Sequence, residues 1–224
     1  NCIVNLDMTD HTVLFAFPGQ GAQYAGIGSD LHQAHDIVRQ TYQEASDALG
    51  FDMATLSFED PDGVINLTRN TQPVLVTHHI ACLRVFDQLT DGAIAPQMAA
   101  GHSLGEYSAL VAAGSISFAQ ALKLVRARGE LMGEYGRGEM EALMLEVADA
   151  KALADEFYCG VAACNMLDQT VVGGLPDDLE ALTLAMKERF PRKRGTRLKT
   201  EGAFHTYYMV EAATRFREVL EANE

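Results

Sequence analysis

Three side chains in this sequence are spaced so that they could carry out acyl chemistry. Gly101-His102-Ser103-Leu104-Gly105 sets a serine between glycines two before and two after it. Small apolar residues (Met98, Ala99, Ala100) lead in, and a helical run (Tyr107, Leu110, Val111) leads out. That is the pattern of a nucleophile elbow, a sharp strand-to-helix turn with the hydroxyl at its tip. A side chain in place of either glycine would strike the strand or helix that meets there. The first N–H groups of the helix then point toward whatever the serine attacks. A serine hydroxyl is a weak nucleophile. It needs an imidazole to take its proton and return it to the leaving group. His102 is adjacent, but neighbouring side chains diverge at an elbow. His205, in the loop Gly202-Ala203-Phe204-His205, follows the serine as the base does in other elbow enzymes and is the better candidate; the alternative is a packed loop histidine.

The third residue is Arg128. Ser117-Phe118-Ala119-Gln120 reads as a capping box that opens a helix. Ala121, Leu124, Val125, Arg128, Leu131, Met132 and Tyr135 then recur on one stripe, all apolar or aromatic except the arginine. Arg126 lies off the stripe with Glu130 four residues on, a surface pair. Arg128 has no acidic residue three or four positions away. A guanidinium facing the interior needs an anion, because an unpaired buried charge costs several kcal/mol. Either a distant side chain supplies that anion, or a substrate does, or the stem carries the charge out to water.

Stepping outward from these residues, Thr12–Phe17 is a continuous apolar run, the mark of a buried parallel strand. It ends in the glycine loop Pro18-Gly19-Gln20-Gly21-Ala22-Gln23, which has no Gly-Lys-Ser/Thr and so is not a phosphate loop. Leu31–Leu49 reads as one helix stopped by Gly50. Thr71-Gln72-Pro73 begins another, with proline in the tolerated first turn and His78 and His79 packed or capped along it. Tyr135-Gly136-Arg137-Gly138 breaks the chain. Beyond it come runs at Met140–Val147, Gly160–Asn165, Thr170–Gly174 and Thr196–Lys199, with helices at Lys151–Phe157 and Leu179–Phe190. That order is the split βαβ of a small ferredoxin-like domain. Glu139–Glu146 has helix-favouring composition and is assigned as strand by its length and its place in the order. An amphipathic helix (Met209, Ala212, Ala213, Phe216, Leu220) follows His205. The resulting division is a tail or linker at 1–11, the first part of a large subdomain at 12–136, a small subdomain at 137–201, and a return to the large one at 202–224.

With 224 residues, 48% of them hydrophobic, the chain can bury a substantial core. Against 31 Asp+Glu stand 17 Lys+Arg, a formal net charge of -14, which disfavours general nucleic-acid binding. Cys2, Cys82, Cys159 and Cys164 lack the spacing of paired ligands and read as reduced structural thiols in a cytoplasmic protein. No signal peptide and no membrane-spanning run is evident. The seven histidines include no His-x-x-x-His metal pair, and His32 and His35 read as surface residues.

Five motifs together resemble one family. Phe17-Pro18-Gly19-Gln20-Gly21-Ala22-Gln23, Thr71-Gln72-Pro73, Gly101-His102-Ser103-Leu104-Gly105-Glu106-Tyr107, Val125-Arg126-Ala127-Arg128-Gly129 and Gly202-Ala203-Phe204-His205 are similar to those of the malonyl-CoA:acyl-carrier-protein transacylases. These include the fatty-acid enzyme and the acyltransferases of polyketide synthases, and the Gly-Ala-Phe-His form is most similar to stand-alone, trans-acting ones. The resemblance implies an α/β-hydrolase-like core with a parallel sheet, a ferredoxin-like subdomain inserted after the arginine-bearing helix, and an active site in the cleft between them. It also implies that the C-terminal part of the family domain, with the group that orients the histidine, lies outside this sequence.

Carried over by position, Ser103 is the nucleophile, His205 the base, and the backbone N–H groups of Gln20 and Leu104 the oxyanion hole. Arg128 clamps the free malonyl carboxylate. Gln72 and Asn165 help bind substrate, and Phe204 crowds any substituent on the malonyl α-carbon, though a small polar one is hard to exclude. The family loop Asn-x-Pro-Gly-Gln reads Asn165-Met166-Leu167-Asp168-Gln169 here, without the proline and glycine. The implied reaction is ping-pong transfer of malonyl from CoA to the phosphopantetheine thiol of an acyl carrier protein, with no metal and no tightly bound cofactor. Six cationic residues fall between Arg189 and Lys199, just upstream of His205. Of these, Arg192, Lys193, Arg194 and Arg197 form a candidate docking patch for an acidic carrier protein near the cleft mouth; a solvated turn after Pro191 is the alternative. Two rival functions are an editing-type thioester hydrolase of the same fold and a catalytically idle docking module of a larger synthase.

Overall fold

The computed structural model describes residues 12–223, so the expected tail at 1–11 lies outside the described residues. The chain divides into two compact units. The first holds the described residues up to Asn66 together with Asn70–Arg126; the second holds Leu67–Arg69 and the residues from Ala127 on. In chain order the elements are β1 (Leu14–Phe17), α1 (Ser29–Ala34), α2 (Asp36–Leu49), α3 (Met53–Phe58), α4 (Thr68–Thr90), β2 (Met98–Gly101), α5 (Gly105–Ala112) and α6 (Phe118–Tyr135). There follow β3 (Glu139–Leu143), α7 (Val147–Glu156), β4 (Gly160–Met166), β5 (Gln169–Gly174), α8 (Pro176–Arg189), β6 (Gly195–Leu198), a 3-10 turn at Tyr207–Met209, and α9 (Val210–Glu221).

In the first unit β1 and β2 pair in parallel, from Leu14 opposite Met98 to Phe17 opposite Gly101. The core beside them joins Val38, Tyr42 and Met53 to Val74, Leu75 and Ile80, with Leu104, Leu122 and Val125. The apolar run of β1 predicts burial on both faces, yet Leu14 is 51% exposed and Met98 54%. Among the described residues this sheet has two strands, so those side chains have no second layer to enter. The expected helix at 31–49 is broken at His35, whose extended backbone ends α1 and begins α2. Gly50 closes α2 in the left-handed region, as its lack of Cβ permits. His32 is half-buried with its ring edge-on to Tyr42 and Phe58, not a surface residue. Helix α4 starts three residues before Thr71, so Pro73 lies inside the helix.

The second unit is a four-stranded antiparallel sheet in the order β4-β5-β3-β6. One face carries Leu143 and Val172 against α7 and α8 (Ala150, Leu153, Leu179, Leu182, Met186). The other carries Met140 and Val171 against Met132 of α6, Phe204, Met209 and Ala212 of α9. The alternation of β3 between these faces explains why its helix-favouring residues form a strand: tertiary pairing on both edges overrides propensity. Its buried Glu141 accepts from Thr183 Oγ1 at 2.8 Å and lies 3.5 Å from Arg197 Nε, so the inward carboxylate is compensated. Before the sheet, Gly138 turns the chain at φ 80°, where a Cβ would be strained. Glu201 accepts a hydrogen bond from the Thr68 backbone N–H, placing a carboxylate on the first turn of α4. Gly129 is also needed there, since a Cβ on it would lie 2.7 Å from Thr68 O.

Candidate active site

The first unit holds Ser103 at the turn between β2 and α5 with φ 53°, a left-handed conformation that non-glycine residues rarely take. Both flanking glycines are sterically obligatory. A Cβ on Gly101 would overlap the Gly105 carbonyl carbon and the Glu106 nitrogen. One on Gly105 would lie 2.7 Å from Pro18 O and overlap Phe17 O. The turn is tied to β1 by His102 N–H donating to Phe17 O at 3.0 Å. It passes into α5 through Gly105 N–H to His102 O at 3.0 Å and Glu106 N–H to Ser103 O at 3.2 Å. Leu104 buries its side chain at the start of α5, anchoring the turn from beneath, while His102 is exposed and Ser103 half-buried.

The Gly19-Gln20 loop approaches this elbow closely. A Cβ on Gly19 would lie 2.6 Å from His102 Nδ1 and 2.7 Å from His102 O, so only glycine lets the loop backbone come alongside. Gln20 follows at once, with its side chain half-buried. Gln72, on α4, is fully buried.

The second unit gathers Arg128 and His205. They line one cleft of about 300 Å³, whose other walls are Met132, Thr206, Met209, Val210, Ala212, Ala213 and Phe216. Arg128 is half-buried there, on α6, facing the apolar side of α9. His205 is exposed and, like Ser103, has positive φ (61°). Its loop is fixed on both sides. Phe204 is buried before it, and Thr206 after it donates from Oγ1 to Ala203 O at 2.6 Å and accepts from Tyr208 N–H at 3.3 Å. Tyr207 donates its hydroxyl to Tyr158 O, tying the following 3-10 turn to the segment before β4.

Several predicted contacts fall elsewhere. Phe204 is not among the residues that line this cleft; it is buried in the cluster with Met132, Met140 and Met209. Asn165 lies near the far end of β4 and donates to Gln169 Oε1 at 3.3 Å across the hairpin. Arg126 is not a solvated surface residue: it donates to Asn70 Oδ1 at 2.8 Å and lies over the Phe51 ring. The cationic patch is also displaced. The His205 loop sits on Gly138, Gly160 and Gly173 at one end of the sheet, whereas Arg192, Lys193 and Arg194 precede Gly195 at the end marked by Leu143. Four strand steps, roughly 14 Å, separate the two ends. Arg197 is committed to Glu139 and Glu141, which leaves it unsuited to steering a partner. Sequence spacing missed this because a strand carries the chain away from where it began. The tyrosines that brace the His205 turn went unassigned, since their partner is a backbone carbonyl with no sequence signature.

The chain is similar to known proteins in sequence and in fold. The acyl transferase domain family matches residues 14–224. A malonyl CoA-acyl carrier protein transacylase of Bacillus subtilis is 38% identical, over 94% of this chain and 68% of its own length. A polyketide biosynthesis malonyl CoA-acyl carrier protein transacylase of Bacillus velezensis is 35% identical, over 94% and 72%. The solved structure of a malonyl-transacylase in complex with a type II polyketide synthase acyl-carrier protein superposes with a TM-score of 0.88 at 36% identity, covering 95% of this chain and 70% of that one. The elbow around Ser103, the α/β fold with its parallel strands, and these relationships together place the chain in the acyl transferase domain family, with the malonyl CoA-acyl carrier protein transacylases.

Proposed function

We infer that this protein transfers a malonyl group from CoA to the phosphopantetheine thiol of an acyl carrier protein through an acyl-serine. The observation that carries the reading is the cleft shared by Arg128 and His205. It holds a cation and a base among methionine, alanine and phenylalanine walls. A guanidinium in such surroundings selects a carboxylate, which it can grip with two parallel hydrogen bonds. Malonyl thioesters carry that carboxylate; acetyl thioesters do not.

Ser103 Oγ attacks the thioester carbonyl as His205 takes its proton. The N–H groups of Gln20 and Leu104 receive the developing oxyanion. The C–S bond breaks, and CoA leaves with the proton from His205. In the second half the carrier thiol gives its proton to His205, attacks the malonyl-serine, and Ser103 recovers its proton as the C–O bond breaks. These steps use only serine, histidine and arginine chemistry, so the reading calls for no metal or bound cofactor. Phe204 acts from behind, holding Met132 and Met209 against the substrate's α-carbon. The strand order β4-β5-β3-β6, with α7 and α8 on one face, supports a ferredoxin-like second unit, and the Ser103 turn supports a hydrolase-like first one. The exposed Arg192, Lys193 and Arg194 would meet an acidic carrier protein whose long flexible arm spans the sheet. The free thiols of Cys82, Cys159 and Cys164 fit a cytoplasmic enzyme, and no helix of the described residues is long and apolar enough to cross a membrane.

The test is intact-mass analysis after mixing the protein with malonyl-CoA or acetyl-CoA, with and without holo carrier protein. A malonyl adduct on Ser103 that moves to the carrier is expected. An adduct lost to water instead would indicate hydrolysis, and no adduct would indicate a docking module.

A further inference from the structure

Helix α4 carries a histidine that the mechanism does not use. His79 is 6% exposed, and its Nδ1 lies 2.9 Å from Ser108 Oγ on α5. Its ring also rests against Phe17, the last residue of β1, at 5.7 Å between centroids. The other ring nitrogen, Nε2, is buried with no hydrogen-bond partner. An apolar side chain would fill the same place without burying an orphan polar atom, so packing alone does not account for an imidazole here.

The two elements that His79 touches are those that would form the oxyanion hole. β1 runs into Gly19-Gln20, and α5 runs out of Ser103-Leu104. One N–H comes from each side, and the gap between them depends on how β1 and α5 are held together. Phe17 is already central to that joint: its carbonyl accepts from His102 N–H at 3.0 Å and leaves no room for a Cβ on Gly105. We propose that His79 is a positioning residue, which braces α5 through Ser108 and β1 through Phe17 and so fixes the spacing of the Gln20 and Leu104 N–H groups about Ser103. This inference rests on the oxyanion assignment made above. Its consequence is a hole assembled before substrate arrives, where an error of 1 Å can cost about a hundredfold in rate.

The test uses three single variants of the protein and one double variant. Ser108→Ala removes the hydrogen bond from the α5 side. His79→Leu removes it from the α4 side while keeping the bulk. His79→Asn restores a polar atom near the Nδ1 position. Two rates are read: labelling of Ser103 by an organophosphonofluoridate, followed by intact mass, and steady-state malonyl transfer. Ser108→Ala and His79→Leu are each expected to slow labelling and kcat by about tenfold to a hundredfold, with KM for malonyl-CoA within about twofold. His79→Asn recovers most of the rate, and the double variant Ser108→Ala/His79→Leu is no slower than the singles. A folded Ser108→Ala protein with undiminished rates overturns the proposal, as does a folded His79→Asn protein as slow as Ser108→Ala. Should His79→Leu not fold, those two variants decide. Ser103 that labels readily but accepts no malonyl refutes the malonyl reading and leaves the brace testable by labelling. Ser103 that does not label in the unsubstituted protein shows that no preorganised hole exists, and the proposal falls.

Discussion

Gly101 and Gly105 cross so closely that a methyl group on the first would lie 1.9 Å from the carbonyl carbon of the second. The serine between them is presented only because neither has a side chain. Gly101→Ala should therefore shift backbone, not a flexible side-chain tip, and destabilise the first unit by about 3 kcal/mol or prevent its folding. Urea unfolding of the purified variant measures this.

Ser103 holds φ 53° at some cost, since a left-handed residue with a Cβ is disfavoured by about 1–2 kcal/mol. Ser103→Gly relieves that strain. The variant should unfold at a higher urea concentration than the parent, by about 1 kcal/mol, while forming no acyl adduct. Higher stability with lost function is the signature of strain kept for chemistry.

Arg128→Ala should reduce acylation by malonyl-CoA at least a hundredfold, about 3 kcal/mol, while leaving the slow reaction with acetyl-CoA equal or faster. Arg128→Lys should recover only part of the loss, since an ammonium cannot make the paired contact. Competition between the two thioesters, read by adduct mass, gives the ratio directly.

Burial, and secondarily the neighbouring His78, pushes the His79 imidazole down to about 4. The neutral form is thus the native one. Above the unfolded value near 6.5 the folded and unfolded chains hold the same proton count at this site. As pH falls from there toward 4 the unfolded chain gains a proton that the folded one refuses, so stability declines by up to about 3 kcal/mol. His79→Asn should flatten that part of the stability-versus-pH curve between pH 6.5 and 4, measured by thermal unfolding across buffers.

Reversal of charge at Arg192 and Arg194 together should raise KM for an acidic carrier protein about tenfold at low salt and much less at high salt, where screening shortens the reach of these charges. Acylation by malonyl-CoA should not change. An unchanged KM at low salt would assign the turn after Pro191 to solvent.

Local chemistry was legible in the residues themselves. The elbow, the Ser117–Gln120 capping box (Gln120 N–H to Ser117 Oγ at 3.2 Å) and the glycine stop after α2 depend on neighbours a few positions apart. Such features follow from sterics and hydrogen bonding that short sequences specify. The order of strands and helices after Gly138 was legible for the same reason, as a change of hydrophobic period. Which way a side chain faces once the strands are paired was not. The Arg192–Arg194 turn read as a neighbour of His205 because it lies just upstream in the chain, and Asn165 read as a substrate contact because of the loop motif it resembles, yet β6 and β4 place them at the end of the sheet opposite the His205 loop. Phe204 read as a pocket wall and lies behind one. Likewise His79 looked like packing, and only the approach of β1 and α5 showed it touching both Phe17 and Ser108. Residue types and short spacings state which groups are available for reaction. Where each group points depends on backbone direction and on contacts between segments far apart in sequence, and those exist only once the chain has folded.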